Sequence, residues 1–278
     1  MIKLYNGHQI PRLGLGTFLM TNEEETHEVI LNAIKVGYRH FDTAQMYYNE
    51  EVIGNALKES GLARSEFYIT TKLMNHHDKD VARKLIDESL EKLQSDYIDL
   101  LLIHWPNHDD KVNLNTWEVF EEFYYSGKVK AIGVSNFSRY QLEQLIPNVS
   151  VKPMVNQVEF HPALSQIQMF EYLDKHNIKL MGYGPLMRGQ MNNEPYYSVL
   201  NEIALNHNVS IGEVLIAWGL SKNAIMIPKT STISRLATNF SSKELKLTVD
   251  ELKLIDNLNT GRRLYADPAN NVYGKFIK

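Results

Sequence analysis

Residues 97–104 read YIDLLLIH, residues 115–127 read NTWEVFEEFYYSG and residues 129–135 read VKAIGVS. The first run is short and almost wholly apolar, the pattern of a strand buried on both faces. The second carries apolar residues at helical spacing and stops at Gly127, a residue suited to a helix end. The third is again a strand. Strand, helix and strand in this order join parallel neighbours, because parallel strands need a long crossover between them.

The rhythm continues in both directions. Toward the N-terminus, residues 67–72 read as a strand before a helix over 80–93. Residues 38–42 read as a strand before a helix that Asn49 caps over 50–60. Residues 13–18 (LGLGTF) read as a first strand, then Thr21 and Asn22 cap a helix to Gly37 with acids in its first turn. Toward the C-terminus, helices are expected over 138–146, 164–176, 197–207, 211–221 and 249–258, and strands over 154–159, 178–183 and 224–228. Before all of this, IKLY and HQIPRL flank Asn6-Gly7, a strong hairpin signal. Eight strand–helix pairs in roughly 250 residues imply one α/β domain, a closed (β/α)₈ TIM barrel over 1–278, with the N-terminal hairpin closing its bottom. A doubly wound sheet is the alternative. Irregular stretches are expected at 74–79, 106–114 and after Gly261.

Composition narrows the function. The chain has 278 residues, 44% hydrophobic and 22% charged, enough to bury a core without staples. Its net charge of -4 excludes a broad nucleic-acid surface, so any phosphate site is local. With no cysteine there is no disulfide, iron–sulfur cluster or thiol nucleophile. The start, MIKLYNGHQIPRLGLG, lacks a signal-peptide core, and no apolar run approaches the roughly 18 residues of a membrane span. A cytoplasmic monomer that binds no nucleic acid and no membrane is expected. His76-His77 and His104/His108 invite a metal reading, but histidine pairs of this kind are usually just solvated, so no metal site is expected.

A barrel places its chemistry where its strands end. Asp42, Lys72, His104, Ser135-Asn136, Asn156–Glu159, Tyr183 and Lys229 all follow strands, and Tyr47 stands five residues after Asp42. A free tyrosine, with a pKa of about 10, is a poor acid at pH 7. A lysine cation beside it is expected to lower that value, an aspartate to keep the lysine charged, and a neutral histidine to orient a carbonyl oxygen. Such a group protonates the alkoxide formed when hydride reaches C=O. Lys229 and Arg235 form a local cationic clamp in an acidic chain.

Six segments carry a resemblance: GYRHFDTAQMYYNE (37–50), ITTKL (69–73), LLIHWP (101–106), IGVSNF (132–137), VNQVEFHP (155–162) and IPKT (227–230). Together, in this order, they resemble the aldo-keto reductase family over nearly the whole chain. The short tail and GRRLYADP (261–268) resemble its bacterial 2,5-diketo-D-gluconate and methylglyoxal reductase subgroup. The resemblance implies NADPH lying extended across the barrel mouth and a catalytic tetrad of Asp42, Tyr47, Lys72 and His104. It implies Ser135, Asn136 and Gln157 on the nicotinamide carboxamide and Tyr183 stacked on the ring. Lys229, Thr230 and Arg235 would hold the 2′-phosphate and Asn239 the adenine, with Thr17 and Leu186 also at the cofactor. Phe18, Met20 and Trp105 are expected to wall the pocket, and Met187 and Arg188 are candidates for the cofactor channel. The substrate would be a small carbonyl: an aldehyde, an α-dicarbonyl or a keto-sugar. Gly184, Tyr48 and Thr238 depart from the common pattern. Two other readings are a non-catalytic NADPH-binding regulator on the same fold and a barrel lyase using Lys72 as an imine.

Overall fold

The ring is closed by the first and last barrel strands meeting. The computed structural model describes residues 1–269, so residues 270–278 of the expected single domain lie outside the described residues. A hairpin of β1 (Ile2–Lys3) and β2 (Gln9–Ile10) comes first. The barrel strands follow: β3 (Leu15–Gly16), β4 (His40–Asp42), β5 (Tyr68–Leu73), β6 (Leu100–Ile103), β7 (Ile132–Ser135), β8 (Val155–Glu159), β9 (Lys179–Tyr183) and β10 (Ile225–Met226). All eight run parallel in chain order. Parallel bridges from Leu13 to Met226 and from Gly16 to Lys229 join β3 to β10, with Gly14 N–H donating to Met226 O at 2.9 Å.

Among the described residues, ten α-helices cross between strands or follow the last: α1 (Glu23–Val36), α2 (Glu50–Glu59), α3 (Lys79–Lys92), α4 (Asp110–Tyr125), α5 (Arg139–Leu145), α6 (Ile167–Lys175), α7 (Tyr196–His207), α8 (Ile211–Ser221), α9 (Ser234–Ser241) and α10 (Val249–Asp256). Among the described residues, no helix is long and apolar enough to cross a membrane. The hairpin sits at the strands' N-terminal ends: Asn6 Nδ2 donates to Lys130 O just before β7, and Tyr5 OH to Lys152 O just before β8. That is the bottom face, opposite the site.

Several local expectations shift. Asn49 occupies the cap position of α2 but makes no cap bond. Its amide instead donates to Thr17 O at 3.0 Å and Met20 O at 3.2 Å, and its oxygen accepts from Thr43 Oγ1. It ties the β3–α1 loop to the end of β4. α4 starts at Asp110, inside a stretch expected to be irregular, because Asp109 accepts from Lys111 N–H and caps it. α6 starts only at Ile167, since Gln166 is left-handed at φ 52°. α9 was absent from the periodicity reading; it carries Arg235 and Asn239 to the barrel mouth.

The core follows the buried strands. Leu100, Leu101, Leu102 and Ile103 are all at most 1% exposed, each contributing about 1.5–3 kcal/mol of transfer free energy. Gly133 is dictated by space: a Cβ there would lie 2.6 Å from Val155 O and 2.8 Å from Leu102 Cδ2. Outside the barrel, Phe160 stacks on Trp218 of α8 at 4.9 Å.

One polar residue in this core gives a test. His40 is fully buried, with Nε2 2.9 Å from Thr70 Oγ1, and burial pushes its pKa from 6.5 down to about 3. Its folded value lies below its unfolded one, so its contribution to stability is complete above pH 6.5 and is lost as pH falls toward 3. Urea midpoints should therefore fall between pH 7 and pH 4 in the wild type and fall less in His40→Gln. Equal losses in both proteins contradict the assignment.

Candidate active site

The strand register brings the sequence-distant groups to one rim. Asp42 ends β4, Lys72 lies in β5 paired with Leu102, and His104 follows β6. Tyr47 is carried by a single 3₁₀ turn, Gln45–Tyr47, after β4. Tyr48 closes that turn in the left-handed region and is 88% exposed, while Tyr47 turns inward. Tyr47 OH lies 3.5 Å from Lys72 Nζ and 3.5 Å from His104 Nε2.

Lys72 is fully buried and bonds Asp42 Oδ1 at 2.5 Å and Thr43 O at 2.8 Å. Asp42 Oδ2 accepts from Gln157 Nε2 at 2.6 Å. Burial pushes Asp42 up and Lys72 down, and their mutual attraction opposes both shifts. Lys72 does not line the cleft, and its ammonium is spent on Asp42 and Thr43, which leaves it poorly placed as an imine former. Burial first, and the Lys72 charge second, hold His104 well below its usual range, so its imidazole is neutral at pH 7.

Tyr47 corrects an expectation. The sequence argument has Lys72 lowering the phenol pKa. Here burial, then the Asp42 carboxylate, push it well above 10. The phenol keeps its proton at neutral pH, and Lys72 stands ready to compensate charge on the oxygen once the proton leaves.

These groups open into one cleft of about 1230 Å³ at the strand ends. Ser135, Asn136, Gln157, Tyr183, Leu186, Lys229, Arg235 and Asn239 line it, as do Phe18 and Trp105. Thr17, Met20 and Thr230 do not. Thr17 Oγ1 donates to Asp42 O at 3.0 Å beneath the rim. Thr230 Oγ1 accepts from Thr232 N–H at 3.1 Å in its own turn. Met20 is buried because the tight turn closed by Met20 N–H on Thr17 O sends Leu19 outward, at φ 62°, and Met20 inward. Of the Met187-Arg188 pair only Arg188 reaches the cleft; Met187 is buried.

The expected carboxamide partners are already networked. Asn136, left-handed at φ 63°, donates to His104 O and Ser135 Oγ, and its Oδ1 accepts from Tyr183 OH at 2.9 Å. Asn239 Nδ2 is buried at the cleft without a hydrogen-bond partner among the described residues. Lys229 bonds only Ser231 Oγ, and neither Lys229 nor Arg235 makes an ion pair among the described residues. Gly184 is required rather than missing a side chain: at φ 66°, a Cβ would lie 2.5 Å from the Tyr265 ring. Tyr265 itself, an edge-on neighbour of Tyr183 at 5.3 Å, was not singled out in the sequence. Only the GRRLYADP segment containing it pointed there.

Residues 12–260 match the Aldo/keto reductase family. The chain is 42% identical over 269 residues to a glyoxal reductase of Bacillus subtilis, covering 96% of this chain and 95% of that protein. It is 39% identical to the methylglyoxal reductase DkgA of Escherichia coli O157:H7, covering 96% of each. A solved structure of MGS-M4, an aldo-keto reductase enzyme from a Medee basin deep-sea metagenome library, superposes with a TM-score of 0.93. It is 37% identical and covers 98% of this chain and 100% of that one.

The buried pair makes a thermodynamic prediction. Removing one partner of a buried ion pair costs about 3–5 kcal/mol, because the other charge is left uncompensated. Lys72→Met should lose that much in urea unfolding, and Lys72→Met/Asp42→Asn should lose clearly less than the two single losses added. Additive losses would contradict a coupled pair.

Proposed function

The chain belongs to the aldo/keto reductase family and is an oxidoreductase acting on carbonyls, and from that premise we propose that it reduces aldehydes, α-dicarbonyls or keto-sugars to alcohols with NADPH, using Tyr47 as proton donor. The observation that carries this reading is the position of the Tyr47 hydroxyl. It lies 3.5 Å from both a buried ammonium and a neutral imidazole, in a cleft that Lys229 and Arg235 also line, neither in an ion pair among the described residues.

The residues fit the cofactor. Pockets for drug-sized ligands run to about 1,000 Å³; this one is larger at about 1230 Å³, room for a dinucleotide and a small substrate together. Lys229 and Arg235 offer a point charge and a planar fork to a 2′-phosphate. The orphaned Asn239 Nδ2 offers a donor beside them. Tyr183 lines the same cleft, its hydroxyl held by Asn136. The nicotinamide, when bound, supplies a hydride.

The chain's own residues then divide the remaining work. His104 Nε2 is within reach of a carbonyl oxygen placed beside Tyr47 OH and orients it. As negative charge grows on that oxygen, Tyr47 donates its proton to it. Lys72, 3.5 Å from the phenol oxygen, stabilises the phenoxide that remains. Asp42 fixes Lys72, and Gln157 fixes the second oxygen of Asp42. Phe18 and Trp105 exclude water and leave the substrate's apolar part in contact.

Two substitutions test the assignment. Tyr47→Phe should lower kcat by about 10²–10⁴-fold, the usual worth of general acid catalysis, with NADPH affinity nearly unchanged. Tyr48→Phe should stay near wild type, and the reverse result would move the donor by one residue. Arg235→Ala should weaken NADPH in fluorescence titration by roughly tenfold or more, as loss of a charge-assisted hydrogen bond implies, while NADH changes little. Equal loss of both cofactors would show that Arg235 supports the fold instead of the phosphate.

A further inference from the structure

Glu159 ends β8 two residues beyond Gln157, yet it does not line the cleft and is fully buried. Its Oε1 accepts from Leu264 N–H at 2.6 Å and faces His161 Nε2 at 2.8 Å. Its Oε2 has no hydrogen-bond partner among the described residues and lies 3.6 Å from the Arg263 guanidinium. A buried carboxylate is costly unless its neighbours compensate it. Two of the three groups that do so here, Leu264 and Arg263, belong to one segment, the chain that returns after α10.

That segment has no helix or strand of its own. Thr260 N–H and Arg262 N–H both donate to Ala163 O, at 3.2 and 3.0 Å, which lays the chain against the end of β8. Tyr265 and Ala266 then line the cleft. The Tyr265 ring meets Tyr183 edge-on, fills the space that Gly184 leaves, and receives the Arg188 guanidinium at 5.1 Å. Arg188 Nη1 also donates to Leu264 O at 3.4 Å. The strap after α10 and the β9–α7 loop therefore grip each other over the mouth.

We propose that Glu159 is a positioning residue: its buried carboxylate pins the strap over residues 262–266 so that Tyr265 forms a fixed wall beside Tyr183, and this sets the affinity for the carbonyl substrate. The inference rests on the reading of the cleft as a carbonyl-reductase site. It separates binding from chemistry. The strap reaches the cleft through Tyr265, near enough to Tyr47 to act on its hydroxyl, whereas Tyr47, Lys72 and His104 are carried by β5 and by the segments after β4 and β6, without it.

The test uses the purified full chain as wild type, Glu159→Gln, Arg263→Met and Tyr265→Ala. Arg263 is only half-buried, so its variant remains informative should Glu159→Gln fold poorly. Arg262 and Arg263 are themselves trypsin sites within the strap. Limited trypsin digestion, read at the bond after Arg262 that both variants keep, should be roughly tenfold faster in Glu159→Gln and in Arg263→Met, the effect of losing one interaction with a charged group. In NADPH-dependent reduction of an aryl aldehyde, KM should rise more than kcat falls in both, and Tyr265→Ala should reproduce the KM rise. Unchanged cleavage in both folded pinning variants overturns the proposal, as does faster cleavage with unchanged KM. A wild type that reduces no carbonyl overturns the functional reading instead, and the cleavage rates alone then decide the pinning.

Discussion

Lys72 Nζ lies 2.5 Å from Asp42 Oδ1, with 0% and 4% of the two side chains exposed. Two charges held this dry survive only where every remaining lone pair and N–H is met. The barrel meets them from four directions: Asp42 from β4, the Thr43 carbonyl just past it, Gln157 from β8, and the Tyr47 hydroxyl from the turn after β4. Each of these needs its strand to end at one height, and the parallel register supplies that. A one-residue slip of β5 would turn Lys72 to the other face of the sheet.

The rim around the pair is fixed by side chains that serve loops instead of helices. Asn49 gives up its capping role to hold the β3–α1 loop, and Thr17 does the same from the other side. Asn136 joins His104, Ser135 and Tyr183 in one hydrogen-bonded chain. Above them, Glu159 ties down a strap with no regular structure. The groups around Tyr47 are thus held by strand ends and their hydrogen bonds, and the wall beside them is held through one buried acid. In such an arrangement the chemistry and the choice of substrate can change independently.

Much of this was legible in the chain because parallel strands buried on both faces read as apolar runs, of which LLLI is the plainest. The ionisable groups stood out because each followed such a run. What was not legible depended on contacts between distant residues. Gln157 and Asp42 are 115 positions apart, and nothing in either neighbourhood announces their bond. The reversal of the expected Tyr47 shift comes from burial, which a spacing argument does not measure. Met20 was misassigned because a turn at positive φ, not its apolar character, decides which way it points. α9, SRLATNFS, buries Leu236 and Asn239 and so shows no apolar stripe at helical spacing, yet it delivers Arg235 and Asn239.

Steady-state turnover tests the central claim most directly: purified protein, NADPH and a small α-dicarbonyl, followed by loss of NADPH absorbance and by identification of the product. The account predicts NADPH consumption proportional to protein concentration and matched one for one by hydroxycarbonyl. Tight NADPH binding without turnover across aldehydes, α-dicarbonyls and keto-sugars would contradict it and leave a cofactor-binding protein with an idle tetrad.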